Sequence, residues 1–304
     1  MGDKDLTEKT LEAYDDVFAD IINVLLFNGK RLVCERDLSP ETAHSIYKAD
    51  NKLHSQERDV AKYWKNGLIR LALFGMENQT DADADMPLRV ISYDGAAYRN
   101  QLNADKASTE AGHPKERYPA ITLVLYFGYE HHWKKHRHLL DSIKVPDELK
   151  PFVHDYHINV FEIAWLSDEQ VAMFKSDFRI VADYFVQMRK NRDYIPSKDT
   201  MEHVHEVLQL MSVVTDDSRF EDVQNYIERS GRNMCEVLDA VENRGIEKGS
   251  EKRQLTTVIK TLSRYIRRSL PITSQVLEDI AEDNELTVEK VRSIAKENGI
   301  SLSC

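Results

Sequence analysis

The sequence predicts an α/β fold in its first half and a helical region after it. Three observations support this prediction. An amphipathic helix lies near the start, two strand-like runs meet at Asn66-Gly67, and an apolar β run extends from Ile121 to Phe127. Capping signals and helical periodicity dominate the remainder. The predicted order is helix, antiparallel strands, helix, strand, and then a helical C-terminal region.

The composition excludes several classes of protein. Of the 304 residues, 41% are hydrophobic and 31% are charged, and no apolar run approaches the roughly 20 residues that span a bilayer. The polar N-terminus lacks the apolar core of a signal peptide. Three scattered cysteines form neither a disulfide framework nor a zinc site. We therefore expect a cytoplasmic protein that has no membrane partner.

The charge balance bears on nucleic-acid partners. The formal net charge of −11 argues against a protein that coats DNA by electrostatic attraction. It is compatible with an enzyme whose cleft is locally basic. Basic clusters lie at Lys134-Lys135-His136-Arg137, at Arg189-Lys190-Asn191-Arg192, and at Arg264 with Arg267-Arg268.

The first predicted helix covers about residues 9–28. Apolar side chains recur in it at close to helical spacing, and Asn28-Gly29 is a typical C-terminal stop. The following segment, residues 30–55, is mixed and polar. We predict a loop there that contains one short strand.

The hairpin centred on Asn66-Gly67 is the most informative segment of the chain. Such a turn needs a positive φ angle at its centre. Its second run is apolar and ends in Glu77-Asn78-Gln79, while Asp59 lies at the outer end of the partner run. Folding the hairpin therefore brings Asp59 and Glu77 to one edge of the sheet. Two carboxylates there form a hard oxygen site that suits Mg²⁺, an ion able to activate water and stabilise a phosphoryl transition state.

An acidic connection follows the hairpin. Its alternating aspartates lack the glycine and distal glutamate of an EF-hand, so we predict a solvated loop over residues 81–85. A helix is predicted from Met86 to Leu102, with Pro87 in its first turn. We predict a polar, mobile loop for residues 103–118, before the apolar strand.

The C-terminal region is predicted to be helical after one further strand at residues 157–165. Ser167 followed by Gln170 is a capping-box signal. Helices are predicted at about 168–175, 176–192, 198–213, 216–243 with a break at Gly231, and 252–270, before two short terminal helices. The two glycines of residues 244–249 predict a hinge. This gives three parts: a core at 1–165, a helical extension at 166–249 and a helical tail at 250–304.

Several short motifs occur in a fixed order. They are Asp15-Asp16-Val17-Phe18 in the first helix, Asp59 on a strand, Glu77-Asn78-Gln79, Met86-Pro87-Leu88-Arg89, and the strand Pro119 to Gly128 with Ile121, Val124 and Tyr126. Together they resemble the Rpn family of recombination-promoting nucleases, also described as transposases of the PD-(D/E)xK nuclease family, over roughly residues 10–190. The resemblance implies a restriction-endonuclease-like αβββαβ core, Mg²⁺-dependent cleavage of DNA, and an association with recombination or transposition.

The resemblance also implies roles for single residues. Asp59 and Glu77 would hold Mg²⁺ or another divalent cation, together with the backbone carbonyl of Asn78. Gln79 stands where most members carry lysine, so it could orient water or phosphate without supplying charge. Asp15 matches the family's D-x-x-F position and could add a further acid, as could Asp16; both could equally be solvated acids favoured by the helix dipole.

Candidate DNA contacts lie on the second helix and in a basic loop. Arg89 and Tyr93 lie four residues apart on one helix face and could reach a phosphate, or could pack the helix onto the sheet. Lys134 and Lys135 share their loop with His131, His132, His136 and His138. The uneven spacing of these histidines favours an exposed loop that could contact phosphate over a transition-metal site.

Residues 272–298 predict helix, turn and helix. This tail could read DNA as a helix-turn-helix or could pack and form a homo-oligomer; the mixed charges of its second helix favour packing. The predicted function is a metal-dependent DNA endonuclease. One rival is a catalytically weak or inactive nuclease-fold protein that binds DNA or regulates defence, because Gln79 replaces lysine and the net charge is acidic. Another is a helical interaction protein built on residues 165–304.

Overall fold

The computed structural model describes residues 10–41, 44–49, 52–57, 59–67, 69–107, 117–300 and 302. The predicted α/β class is confirmed, because the chain forms a five-stranded mixed sheet and a helical C-terminal region. The chain divides into two compact units, Met1–Glu236, which contains the sheet, and Val237–Cys304. A search of the described helices found none with the length and hydropathy required to cross a bilayer.

The strands and helices have the following bounds. The strands are β1 (Leu38–Pro40), β2 (His44–Ala49), β3 (Lys52–Glu57), β4 (Val60–Asn66), β5 (Ile69–Gln79), β6 (Ala120–Tyr126), β7 (Asn159–Glu162), β8 (Thr200–Met201) and β9 (Arg232–Asn233). The helices are α1 (Asp15–Leu25), α2 (Met86–Ala107), α3 (Leu139–Ser142), α4 (Asp168–Met173), α5 (Phe178–Asn191), α6 (Val204–Thr215), α7 (Arg219–Val223), α8 (Met234–Arg267), α9 (Ser274–Asp283) and α10 (Val288–Glu297). Short 3₁₀ turns lie at Leu11–Ala13, Glu35–Asp37, Asp147–Phe152, Ile163–Trp165 and Gln224–Tyr226.

The main sheet has the strand order β1-β4-β5-β6-β7. Strands β1, β4 and β5 are antiparallel, whereas β5, β6 and β7 run parallel. The helix α2 connects β5 to β6, as a parallel crossover requires. The predicted order of helix, three strands, helix and strand is therefore present, with β7 added at the edge.

Strands β2 and β3 form a separate two-stranded antiparallel ribbon between β1 and β4. The prediction of a loop with one short strand at residues 30–55 was therefore incomplete. These strands carry few apolar residues in alternation, so the sequence lacks the pattern of a half-buried strand.

The β4–β5 hairpin is confirmed. Gly67 has a φ angle of 62°, the left-handed conformation that a tight hairpin requires, and Leu68 lies outside the described residues. The register runs from Val60 opposite Met76 to Asn66 opposite Ile69. Because Asp59 immediately precedes β4, this register places it level with the end of β5.

The two helices near the sheet lie on opposite faces of it. Helix α2 packs on one face, where its Val90 and Ala97 join apolar clusters that include Val124 and Leu73 of the strands. The other face carries Lys62, whose ammonium group reaches back to Asp15 at the start of α1. Since side chains alternate along a strand, Glu77 and Gln79 share the α2 face with Leu73, while Asn78 lies on the α1 face.

The helical part of the first unit extends the core beyond the sheet. Phe178 and Phe185 of α5 pack against Phe127, with ring centroids 6.4 and 5.2 Å apart. The predicted capping box is present, because Ser167 and Gln170 exchange hydrogen bonds at the start of α4. The predicted break at Gly231 is also present, with a φ angle of 77° just before β9.

The second unit has its own apolar core. The end of α8, the following turn, α9 and α10 contribute the buried side chains Val258, Leu262, Ile272, Leu277, Ile280, Ala281, Val291, Ile294 and Ala295. Thr273 and Thr287 cap the two short helices by accepting hydrogen bonds from Val276 and Lys290. The two terminal helices predicted from the sequence are therefore present and pack on each other.

The predicted hinge at Gly245 and Gly249 is wrong, and so is a separate helix beginning at Lys252. The helix α8 runs without interruption from Met234 to Arg267. A glycine costs a helix only about 1 kcal/mol relative to alanine, and the neighbouring Glu, Lys, Arg and Gln residues are good helix formers. Arg244 and Glu247 also form an ion pair across one turn, at 2.8 Å.

Two predicted element boundaries differ from those in the structure. Helix α2 continues to Ala107, so it includes the first residues of the predicted loop at 103–118, and residues 108–116 lie outside the described residues. The predicted strand at residues 157–165 is shorter, because β7 gives way to a 3₁₀ turn at Ile163–Trp165. The three-part domain division stays a prediction.

Candidate functional site

The end of β5 gathers the acids that the sequence singled out. Oδ2 of Asp59 accepts a hydrogen bond of 2.7 Å from the backbone amide of Asn78. Asp59 precedes β4, so this side-chain bond extends the β4–β5 pairing beyond its last backbone pair, Val60 and Met76. Within a strand, the N–H and C=O of one residue point to the same side, so the Asn78 carbonyl is directed toward the Asp59 side of the strand.

Glu77 lies next to Asn78 and is almost fully buried, with 3% of its surface exposed. Its carboxylate forms an ion pair with Arg89 from the first turns of α2. Arg89 also donates to Asp83 at 3.2 Å, and Tyr93 lies one turn further along and hydrogen-bonds to Arg89. Arg89 and Tyr93 therefore lie at the candidate site, on the face of the sheet that carries Glu77.

Glu12 is a further acid at this edge, and sequence reasoning missed it. It lies in the 3₁₀ turn before α1 and is fully buried. Its Oε1 accepts a 2.9 Å hydrogen bond from the side-chain amide of Asn78. Within the described part of the chain, Oε2 of Glu12 and Oδ1 of Asn78 are buried and lack a hydrogen-bond partner. The only sequence signal was an acid beside a core position, Leu11, which is weak.

Burial is the main influence on the pKa values of the acids at this edge. Burial raises the pKa of Glu12, and the charge of Asp59 raises it further, although hydrogen bonds oppose both effects. Burial also raises the pKa of Asp59, opposed by the Asn78 amide and by the charge of Arg89. Burial lowers the pKa of Arg89, but Tyr93 and Glu77 raise it overall. Burial thus disfavours the charged forms of Glu12 and Asp59, and a nearby cation would favour them.

The two aspartates of the first helix lie elsewhere. Asp15 forms an ion pair with Lys62, whose ammonium group also donates to the carbonyl of Ala13 at 2.6 Å. Asp16 lies 3.2 Å from the imidazole of His203. The contact between the N-terminal segment and the end of β5 is made instead by Glu12. A role for Asp15 as a metal ligand stays a prediction.

Comparison with known proteins adds one finding. Residues 70–220 match the model of a family described as putative transposase, YhgA-like. The match to the YhgA-like family includes Glu77, Gln79, Arg89, Tyr93 and the loop after β6, and begins after Asp59. No curated protein and no solved structure matches the chain.

Gln79 completes the predicted catalytic motif of β5, within the segment that matches the YhgA-like family. Its carbonyl accepts a 2.8 Å hydrogen bond from the amide of Phe127, which fixes the end of β5 to β6. Its side chain is on the same face as that of Glu77 and is partly exposed. It is therefore placed to contact a ligand that approaches Glu77.

The basic loop after β6 also lies in the matched segment. Lys134 and Lys135 are exposed, and the intervening structure is well anchored because Trp133 is buried against Tyr126 with centroids 5.3 Å apart. Three of the neighbouring histidines have a side-chain partner: His132 contacts Glu162, His136 contacts Ser142 and His138 contacts Asp155. The loop thus presents two exposed lysines next to the parallel strands of the sheet.

The donor set at the edge suits a hard divalent cation. The carboxylates of Asp59 and Glu77 and the backbone carbonyl of Asn78 supply oxygen atoms, which Mg²⁺ prefers to nitrogen or sulfur, whereas Glu12 contacts the Asn78 side chain on the α1 face. Against this, Arg89 already neutralises part of the charge of Glu77.

Proposed function

We propose that this protein is a metal-dependent DNA endonuclease of the PD-(D/E)xK type that takes part in transposition or recombination. The observation that supports it most is that Asp59 and Glu12 both hydrogen-bond to Asn78 at the end of β5, next to the buried acid Glu77. The description of the matched family, putative transposase, supports DNA as the substrate. The order of three antiparallel strands, a crossover helix and a parallel strand agrees with the fold that this nuclease type requires.

The residues at the end of β5 would have different roles in hydrolysis. Asp59, Glu77 and the Asn78 carbonyl would hold Mg²⁺, which when bound lowers the pKa of water and offsets charge on the scissile phosphate. Gln79 would orient the attacking water or a phosphate oxygen through its amide. Arg89, with its side chain partly exposed, would donate hydrogen bonds to a phosphate, for which a guanidinium is well suited.

The test is cleavage of plasmid DNA with and without Mg²⁺. Asp59→Asn and Glu77→Gln should each lower the cleavage rate by roughly 100-fold or more, because a metal site loses a charged ligand that acts in the transition state. Asp81→Asn is the matched control: it removes an exposed acid two residues after Gln79 and should cleave like the wild type. Full cleavage by both edge variants would contradict the proposal.

DNA binding can be tested apart from cleavage. Lys134→Ala with Lys135→Ala should weaken binding equally for unrelated sequences and reduce its salt dependence, because the lysines would contact only phosphate. The control is Lys150→Ala, which removes an exposed lysine paired with Asp147. Identical affinity and salt dependence for the variant and the wild type would exclude this loop as a DNA contact.

A second candidate function is DNA binding without cleavage. The ion pair between Arg89 and Glu77 favours it, since Arg89 supplies the positive charge that a metal would otherwise bring. The replacement of lysine by Gln79 points in the same direction. Salt-sensitive binding of DNA by a protein that shows no cleavage with Mg²⁺ or Mn²⁺ would favour this second function over the first.

A further inference from the structure

A cavity of about 640 Å³ lies in the first unit, away from the end of β5. It is lined by one face of α1, by the segment after α1 that contains Arg31 and Arg36, and by the segments that lead into α5 and α6. Asp16 and Glu202 both line it, and His203 follows Glu202 in the chain. The proposed nuclease function does not use these three residues.

The three side chains converge closely. One ligand atom from each of Asp16, Glu202 and His203 lies within 4.8 Å of the other two. In the part of the chain that the structure describes, no other group of three His, Cys, Asp or Glu residues meets this condition. Ligand atoms around zinc lie roughly 3–4 Å apart, and the 3.2 Å between Nε2 of His203 and Oδ2 of Asp16 falls in this range.

The histidine is held in place by its surroundings. Its ring stacks on Tyr14, with centroids 3.9 Å apart, and its Nε2 lies 3.2 Å from Oδ2 of Asp16. The buried Asp177 accepts hydrogen bonds from the backbone amides of Glu202 and His203, at 2.9 and 2.6 Å. Asp177 thus fixes the backbone of Glu202 and His203, and Tyr14 fixes the ring of His203, as supporting residues do for metal ligands in known sites.

The site is also open on one side. The side chain of His203 is 17% exposed and that of Asp16 is 34% exposed, while Glu202 is an exposed residue. The cavity therefore gives access to solvent, which could supply the remaining ligands of an ion. Exposure of Glu202 also means that its replacement should leave the fold intact.

We propose that Asp16, Glu202 and His203 bind a divalent transition-metal ion such as Zn²⁺ or Mn²⁺. An imidazole nitrogen with two carboxylates suits these ions and disfavours Mg²⁺, which prefers oxygen ligands alone. The site would thus differ in selectivity from the edge of β5, whose donors are all oxygens. The proposed site joins α1 to the start of α6, because Asp16 and His203 are 187 residues apart in the sequence.

An ion at this position would stabilise the first unit. At an ion concentration 100-fold above the dissociation constant, the melting temperature should rise by roughly 5–10 °C. Mg²⁺ at the same concentration should produce a much smaller rise through this site. The difference between the two ions separates specific binding from general screening of charge.

The experiment is equilibrium dialysis of the full-length protein against Zn²⁺, with thermal melts in Zn²⁺ and in Mg²⁺. Glu202→Gln and His203→Gln are the test variants, and His205→Gln is the matched control. His205 lies on the same helix, but its Nε2 contacts the carbonyl of Ile227. A protein with Asp59→Asn and Glu77→Gln removes any contribution from the edge of β5.

We expect the wild type, the His205 variant and the edge variant each to bind one equivalent of Zn²⁺ and to show the same rise in melting temperature. Glu202→Gln should weaken binding by at least about 10-fold, and His203→Gln should abolish it. Undiminished Zn²⁺ affinity in Glu202→Gln would overturn the proposal, and so would loss of binding in the edge variant alone. Absence of stoichiometric binding by the wild type would also overturn it, whatever the outcome of the cleavage assay.

Discussion

Glu12 shows how a single buried acid shapes the candidate site. It is fully buried, and the charge of Asp59 adds to the cost of ionising it. A carboxylate in that position is unfavourable unless a cation or a proton compensates for it. An ionised Glu12 at the end of β5 therefore costs stability, and this cost is consistent with a role in binding a cation.

Replacement of Glu12 gives a prediction about pH. Its folded-state pKa is raised above the unfolded value, so the folded protein binds the extra proton and is stabilised at low pH. That stabilisation is lost as the pH rises from about the unfolded value through the folded one. Glu12→Gln should therefore melt at a higher temperature than the wild type at pH 8, and at a similar temperature near pH 4.

Thermal melts from pH 4 to 8 would check this, with Glu221→Gln as a control that removes an exposed glutamate. Added Mg²⁺ should raise the melting temperature of the wild type at pH 8 more than that of Glu12→Gln. A variant that follows the wild-type pH profile throughout would show that Glu12 does not carry the predicted charge.

Gln79 gives a second prediction at this scale. Gln79→Lys places an ammonium group at the position where most nucleases of the PD-(D/E)xK type carry lysine, where it could stabilise developing charge. We expect the variant to cleave DNA at least as fast as the wild type, measured with plasmid DNA in Mg²⁺. Gln79→Met, of similar length but without polar groups, is the control and should be slower. Complete loss of cleavage in Gln79→Lys would instead indicate a role specific to the amide.

Among the elements, β5 and α8 show what sequence patterns can and cannot predict. The apolar run of β5 and its turn at Gly67 were predictable because turn chemistry and burial agree locally. The continuity of α8 was not, because two glycines are strong local signals, whereas the opposing helix propensity is spread over many residues. Strands β2 and β3 and the acid Glu12 were not predictable for a related reason, since the pairing of the two strands and the burial of Glu12 have no local sequence signal.

The glycines of α8 provide a direct test. Neither Gly245 nor Gly249 has a positive φ angle, and an added Cβ meets nothing within 4 Å at either position. Gly245→Ala and Gly249→Ala should each stabilise the protein by about 0.5–1 kcal/mol. Gly231→Ala should destabilise it, because Gly231 has a φ angle of 77°. Chemical denaturation measures all three, and destabilisation by the α8 substitutions would restore the hinge interpretation.

For the whole molecule, the second unit has an apolar cluster of its own. The apolar cluster of the second unit begins at Val258, and all its members lie after Gly249. A chain that ends at Gly249 therefore lacks every buried residue of that cluster, and no part of the cluster is left without the rest. The predicted fold class and the sheet edge both belong to the first unit.

This separation predicts the behaviour of a truncated protein. The chain ending at Gly249 should fold, retain metal-dependent cleavage of DNA, and melt cooperatively. Because Arg264, Arg267 and Arg268 are exposed, their loss should reduce the salt-dependent part of DNA affinity, measured at matched ionic strength. Oligomeric state should be measured in parallel by sedimentation. An insoluble fragment would show that the second unit contributes to the stability of the first.

The double role of Asn78 implies that the acids around it are thermodynamically coupled. Its backbone amide holds Asp59, and its side-chain amide holds Glu12, so a change at either acid alters the constraint on the other. The effects of single substitutions at positions 12 and 59 should therefore fail to add in a double-mutant cycle. Replacing Asn78 with alanine should remove the part of that coupling that passes through its side chain. Single substitutions at this edge would then measure only part of what the coupled residues contribute.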